Sequence, residues 1–178
     1  MTLIIQVLSL EKTSKDILEK ISIKIGETCP DASDVKIGPK LKAPTEAYSS
    51  ERDQYHASTI LEKVQPKTTI SQEEKILVVT SRDLYSKNLN FVFGQAQCPG
   101  KVSIISTHRL RPKFYGQEKN QEIFLERAAK EAIHELGHTI GLGHCTNQEC
   151  VMSFSNSIID VDRKKLTFCE DCRKRANI

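Results

Sequence analysis

The sequence predicts a single α/β (α+β) domain over residues 1–178, with a mixed, twisted sheet of about five strands backed by two or three helices. Three observations carry that expectation. Apolar runs of strand length alternate with stretches whose apolar residues recur every three or four positions. The last two strand-like runs lie close together, which favours an antiparallel, hairpin-like pairing. Four of the six cysteines fall in the final thirty-four residues, where a bound metal can staple a small irregular part of the chain. The expected division is an N-terminal part, 1–141, that ends with a long helix, and a C-terminal part, 142–178, that holds the cysteines.

Taken in order, Leu3 to Leu8 reads as a buried strand and Ser14 to Ile25 as a helix. Ser14 is its candidate N-cap, and Ile17, Leu18, Ile21 and Ile25 form one apolar stripe. Asp34 to Lys40 suggests a second strand. Pro39 and Pro44 place a loop over Gly38 to Ser50, and a helix is expected from Ser50 to about Val64, stopped by Pro66. Three strands follow, Lys75 to Ser81, Asn90 to Gln95 and Val102 to Thr107, with Cys98-Pro99-Gly100 at the turn between the last two. A long helix then runs from about Gln121 to Ile140, its stripe passing through Leu125, Ala129, Ala132, Ile133, Leu136 and Ile140.

Composition narrows the function classes. Hydrophobic residues at 38% and charged residues at 28% argue against a disordered chain, and no apolar run is long enough for a membrane span. Met1 to Leu10 lacks a basic leader and a small-residue cleavage site, so it reads as a strand and a reducing cytoplasm is the expected home. A formal net charge of +3 of mixed sign does not call for nucleic acid. The basic residues Arg163, Lys164, Lys165, Arg173, Lys174 and Arg175 bracket the last cysteine pair. They read as a solvated face, with phosphate contact as the competing reading.

The chemistry is concentrated in His134-Glu135-Leu136-Gly137-His138-Thr139-Ile140-Gly141-Leu142-Gly143-His144, which holds three of the five histidines. Positions four apart on a helix sit one turn above another, with Cβ atoms about 5–6 Å apart, so His134 and His138 can share one metal ion. Glu135 points to one side of that pair, placed to hold a water and not to become a fourth ligand. Gly141 offers the φ freedom to end the helix and deliver His144 from the turn. The bland alternative is a polar helix face with a glycine C-cap, and five specified positions in eleven weigh against it. Cys145 and Cys150, with the C-x-x-C pair Cys169 and Cys172, suit a closed four-cysteine zinc site. A redox-active pair and two disulfides are the competing readings. Between them stands Met152, which on its own would be core filler.

Together these motifs resemble the archaemetzincins, a compact metzincin family of zinc proteases. The likeness rests on the long histidine motif, the cysteine directly after it, a second cysteine and the methionine soon afterwards, and the late C-x-x-C. Segments 51–55, 83–85 and 90–94 are also similar. The resemblance implies a metzincin-like fold and a peptide or protein substrate. It implies a catalytic zinc on His134, His138 and His144, with Glu135 as general base and Met152 as the Met-turn residue. Cys145, Cys150, Cys169 and Cys172 would hold a second, structural Zn2+. The segment Asn90 to Gln95 would be the antiparallel edge strand that lines the cleft, with Phe91 and Phe93 on one face.

Some metzincins carry a tyrosine two residues beyond the methionine to support the oxyanion, and here that position is Phe154, which cannot donate a hydrogen bond. Tyr48, Tyr55, Tyr85, Tyr115, His56 and His108 are the remaining candidates. Cys29 and Cys98 have no assigned role and read as buried or free thiols. The expected function is a monomeric zinc metalloprotease (EC 3.4), acting as an endopeptidase or from the amino end. The alternative is a catalytically silent, zinc-stabilised binding module that contacts a protein or nucleic acid through its basic C-terminal part.

Overall fold

The computed structural model describes residues 3–11, 13–29, 32–64, 71 and 73–178. Its elements, in chain order, begin with β1 (Leu3–Leu10), α1 (Lys15–Thr28), β2 (Ala32–Leu41), β3 (Tyr48–Ser49), β4 (Gln54–His56) and α2 (Ala57–Val64). They continue with β5 (Glu74–Thr80), β6 (Leu84–Ser86), β7 (Leu89–Val92), β8 (Gly94–Ala96), β9 (Val102–Ser106), α3 (Gln121–Thr139), α4 (Ile158–Arg163) and α5 (Glu170–Ala176). The stop expected at Pro66, and Met1 and Thr2 of the expected first strand, lie outside the described residues.

The main sheet has five strands in the order β2-β1-β5-β9-β8. Its first four strands run parallel, and β8 pairs antiparallel with β9, Gly94 opposite Ile105 and Ala96 opposite Ser103. Alternation along the strands separates two cores. Ile5, Val7, Leu77, Val79 and Ile105 pack with α1 and α3 on one face. Leu8, Leu10, Ile76, Val78 and Ile104 pack with Ile60 and Leu61 of α2 on the other.

Three expectations change. Pro39 lies within β2 and not in a loop, which is permitted because β2 is an edge strand whose register with β1 shifts between Val7 and Ser9. The helix expected from Ser50 begins only at Ala57. Asp53 takes a positive φ of 51°, the chain reverses, and Tyr48 pairs with Tyr55. The expected strand Asn90 to Gln95 divides at Phe93. Its first half, β7, joins a second sheet of order β3-β4-β6-β7, and its second half, β8, closes the main sheet. The rings of Phe91 and Phe93 still lie together, with centroids 5.2 Å apart.

Helix α3 crosses beneath this sheet, started by Asn120, whose side chain accepts from the Ile123 N–H. Its far end is held by Lys75, a buried lysine of β5 that donates to the carbonyls of Gly100 at 2.8 Å and Thr139 at 3.3 Å. A cation there suits the negative end of the helix dipole. No helix among the described residues is long and apolar enough to cross a membrane.

Candidate active site

The last turn of α3 closes as a Schellman motif. Gly141 N–H donates to His138 O at 2.9 Å and Leu142 N–H to Gly137 O at 3.1 Å, with Gly141 at φ 94°. This reversal brings His144 back over the helix. The rings of His134, His138 and His144 then sit with centroids 4.6, 4.9 and 5.4 Å apart, and the three can hold one metal ion.

Hydrogen bonds orient the first two rings. His134 Nδ1 is 2.8 Å from Val151 O, and His138 Nδ1 is 2.7 Å from Leu142 O. A carbonyl only accepts, so each Nδ1 carries the proton and each Nε2 presents its lone pair inward. The two Nε2 atoms are 3.1 Å apart, close to the edge of about 3.4 Å of a tetrahedron with nitrogens about 2.0–2.1 Å from its centre. Burial is the largest effect holding all three imidazoles below their ordinary pKa, which keeps them in the neutral form that binds metal. Lone pairs facing one another in a desolvated site are a poor fit to one another and a good fit to a cation.

Glu135 is buried beside them, and its carboxyl lies well above the usual carboxylate range, chiefly through burial and then through the nearby Glu131. Its side chain rests against the Cα of Gly94 on β8. A methyl group placed there would come within 2.6 Å of Glu135 Oε1 and 2.7 Å of Ile104 O. Met152 is fully buried against the helix at Gly137, where a Cβ would meet its sulfur at 2.4 Å.

Cys145, Cys150, Cys169 and Cys172 also converge. Their sulfurs approach at 3.7 Å (Cys145 to Cys169) and 3.8 Å (Cys150 to Cys172). A tetrahedron of thiolates about 2.3 Å from its centre has edges of about 3.8 Å, so the cluster has the spacing of a four-sulfur metal site and not of disulfides. The backbone N–H of Cys172 draws the Cys169 thiol down to about 7, and Arg175 Nη2 reaches Cys172 Sγ at 3.2 Å. Two hydrogen bonds couple the clusters through one strand of chain. Cys145 N–H donates to Met152 O at 2.9 Å, and the neighbouring Val151 O receives His134.

The histidines and Glu135 open into a cavity of about 420 Å³ that is also lined by Leu89, Phe91, Gln95, Cys98 and Phe154. On β8, Ser106 N–H donates to Phe93 O and Gln97 N–H to Val102 O. The intervening residues Gly94 and Ala96 therefore turn their backbone groups away from β9, toward the outer edge of the sheet.

None of Tyr48, Tyr55, Tyr85, Tyr115, His56 or His108 lines this cavity. Tyr48 donates to Asp53, Tyr115 to Arg109 O, and His56 Nδ1 lies 3.0 Å from Thr59 Oγ1. Cys98 does line it, with its sulfur 3.6 Å from Leu142 O, the carbonyl that orients His138. Cys29 is partly buried against the main core.

The reading of the basic residues as a uniformly solvated face is corrected at Lys164. Its side chain is 0% exposed and its Nζ pairs with Glu131 at 2.9 Å, while Glu131 is 3% exposed. Only the spacing of Glu131, one helical turn before Glu135, hinted that it faces the site.

Residues 10–177 match peptidase family M54. The chain belongs to this family. It is 46% identical over 160 residues to the archaemetzincin of Methanocaldococcus jannaschii, covering 90% of this chain and 85% of that protein. Among solved structures it resembles the archaemetzincin of Methanopyrus kandleri, with a TM-score of 0.84 and 37% identity over 98% of this chain and 94% of that one. A zinc-dependent peptidase from Methanocorpusculum labreanum gives a TM-score of 0.86 at 30% identity, covering 97% and 100%. A family of zinc metallopeptidases thus agrees with the convergence of imidazoles in the cleft.

Proposed function

We propose that the chain hydrolyses peptide bonds as a metzincin-type zinc peptidase (EC 3.4), with zinc on His134, His138 and His144 and Glu135 as general base. Cys145, Cys150, Cys169 and Cys172 hold a second, structural zinc, and Met152 is the Met-turn residue. The observation that carries the reading is the set of three inward-facing, neutral imidazoles beside a buried carboxylate at an open cleft. Zinc bound by three imidazoles supplies Lewis-acid polarisation of the scissile carbonyl and lowers the pKa of water toward about 7.

The protein's own groups do the rest. The outward backbone groups of Gly94 and Ala96 align an extended peptide as an added strand. Glu135 takes a proton from the attacking water and returns it to the departing amine, and no covalent intermediate forms. Its buried seat makes the protonated form easily reached, which suits a carrier between water and amine. Phe154 in the cleft has no hydrogen-bond donor, so its side chain gives a developing oxyanion no support. The chain acts as a cytoplasmic monomer on peptide or protein substrates.

The alternative of a silent module binding through its basic face is disfavoured by the fate of those residues. Lys164 is buried, Lys165 pairs with Glu149, and Lys174 pairs with Glu170. The test is Glu135→Gln. Peptide hydrolysis is expected to fall by at least roughly a hundredfold while zinc content and thermal midpoint are retained. Undiminished turnover refutes the base assignment.

A further inference from the structure

Apart from the histidines and Glu135, the cleft presents a largely apolar wall that is braced from behind. Leu89 and Phe154 are 41% and 49% exposed, large apolar side chains left open to solvent at the same cavity. Such exposure at a cleft marks a binding surface. The Phe154 ring lies 5.0 Å from that of His144, so a side chain received there lies next to the reacting centre.

Phe91 is held in place by residues outside the cavity. The Arg109 guanidinium stands 4.3 Å over its ring and is fixed by two 2.8 Å hydrogen bonds to Asp83. Gln54 Nε2 donates to the same Asp83 and to Asn90 O, each at 2.9 Å, tying the brace to β7 itself. Phe93 packs edge-on against Phe91.

The two carboxylates of the lining are set back from the wall: both are buried, and Glu131 is ion-paired. Glu131 is paired with Lys164, Glu135 is seated against Gly94, and the imidazoles face one another. Leu89, Phe91 and Phe154 offer a charged substrate side chain no counter-ion for the water it would lose, while Gln95 Oε1 and Ser155 Oγ of the same lining, buried and without a hydrogen-bond partner among the described residues, can serve neutral polar groups of the peptide.

We infer that the cleft selects its substrate by one apolar, preferentially aromatic side chain, received among Leu89, Phe91 and Phe154, and that Arg109 is a positioning residue that sets Phe91. The inference rests on the hydrolase reading for the ligand being a peptide. Selection acts in binding, before any bond is broken, so it is measurable without turnover.

Short labelled peptides that differ only at one central position (Phe, Leu, Ser, Lys or Asp) are titrated by fluorescence anisotropy against full-length, zinc-loaded Glu135→Gln protein, and their cleavage by the unmodified protein is followed in parallel. Phe and Leu peptides are expected to bind roughly tenfold or more tightly than the other three. Phe154→Ala and Leu89→Ser, at exposed positions that the fold does not need, are expected to remove most of that preference. Arg109→Met is expected to raise KM for the Phe peptide with kcat and zinc content little changed, and Arg109→Lys to restore only part, because an ammonium lacks the planar two-pronged grip on Asp83. Equal affinity across the five peptides, or a preference that survives both Phe154→Ala and Arg109→Met, overturns the inference. Selective binding without cleavage upholds the apolar slot and sinks the hydrolase reading, whereas cleavage indifferent to the central residue does the reverse.

Discussion

Replacing Lys164 with methionine, of similar length and without charge, isolates what the buried ammonium does. Lys164 and Glu131 are 33 positions apart, joined at 2.9 Å and both nearly inaccessible to solvent. Removing the ammonium strands the Glu131 carboxylate in the interior, at a cost of about 3–5 kcal/mol. That is a large part of the total stability of a typical domain, about 5–15 kcal/mol. For a chain of this length each kcal/mol moves the thermal midpoint by about 2–4 °C, so the expected fall is roughly 6–20 °C. Adding Glu131→Leu removes the stranded charge, and the double variant is expected to recover most of the loss, since apolar replacement of a buried pair is often neutral or stabilising. The pair also acts on the site. Lys164 lowers the Glu135 carboxyl and Glu131 raises it, so Lys164→Met drives Glu135 further up. As the proposed base, Glu135 must be ionised to accept a proton, and a higher pKa is therefore expected to shift the acid limb of the kcat/KM profile to higher pH. Thermal unfolding of the two single variants and the double variant, with a pH–rate profile for Lys164→Met, tests both statements. An unchanged midpoint, a double variant less stable than Lys164→Met, or an acid limb displaced to lower pH refutes the reasoning.

Cys169→Ser removes one corner of the sulfur cluster. It is expected to lower zinc content by one ion per chain and to reduce thermal stability sharply, because structural zinc binding commits on the order of 10 kcal/mol to the fold. Metal analysis that still returns two zinc ions with an unchanged midpoint would refute the four-cysteine assignment. Gly94→Ala places a methyl group against Glu135 Oε1 and against the main-chain oxygen of Ile104, which cannot swing aside. The expected outcome is a stability loss of about 1–3 kcal/mol and a larger proportional fall in kcat with zinc retained. Activity equal to the unmodified protein would show that Glu135 does not depend on that close approach.

The parts of the fold legible in the chain are those whose information is local. Helix α3 shows its apolar period and its end at Gly141 within one short stretch, and the spacing of His134 and His138 on it, with His144 just beyond, already marks three imidazoles that can share a metal ion. The parts that were not legible depend on partners far away in sequence. Ser50 to Val64 has the composition of a helix, yet β4 pairs with β6 about 29 residues on, where Gln54 finds Asp83, and the positive φ of Asp53 makes the reversal that frees β4 to do so. Phe93 carries no mark of a junction between two sheets. A lysine between two other basic residues reads as a surface group, and only its pairing with Glu131 in the folded chain reverses that for Lys164. The same contrast separates the two candidate metal-binding clusters from their coupling. Each is visible as a spacing of ligands, whereas their connection is a pair of hydrogen bonds to main-chain carbonyls, from His134 Nδ1 to Val151 O and from Cys145 N–H to Met152 O, whose acceptors no side-chain pattern encodes. Because those carbonyls belong to adjacent residues, displacing Cys145 displaces the acceptor that orients His134. The sulfur cluster therefore bears on the chemistry of the cleft through the backbone, without any of its side chains entering it.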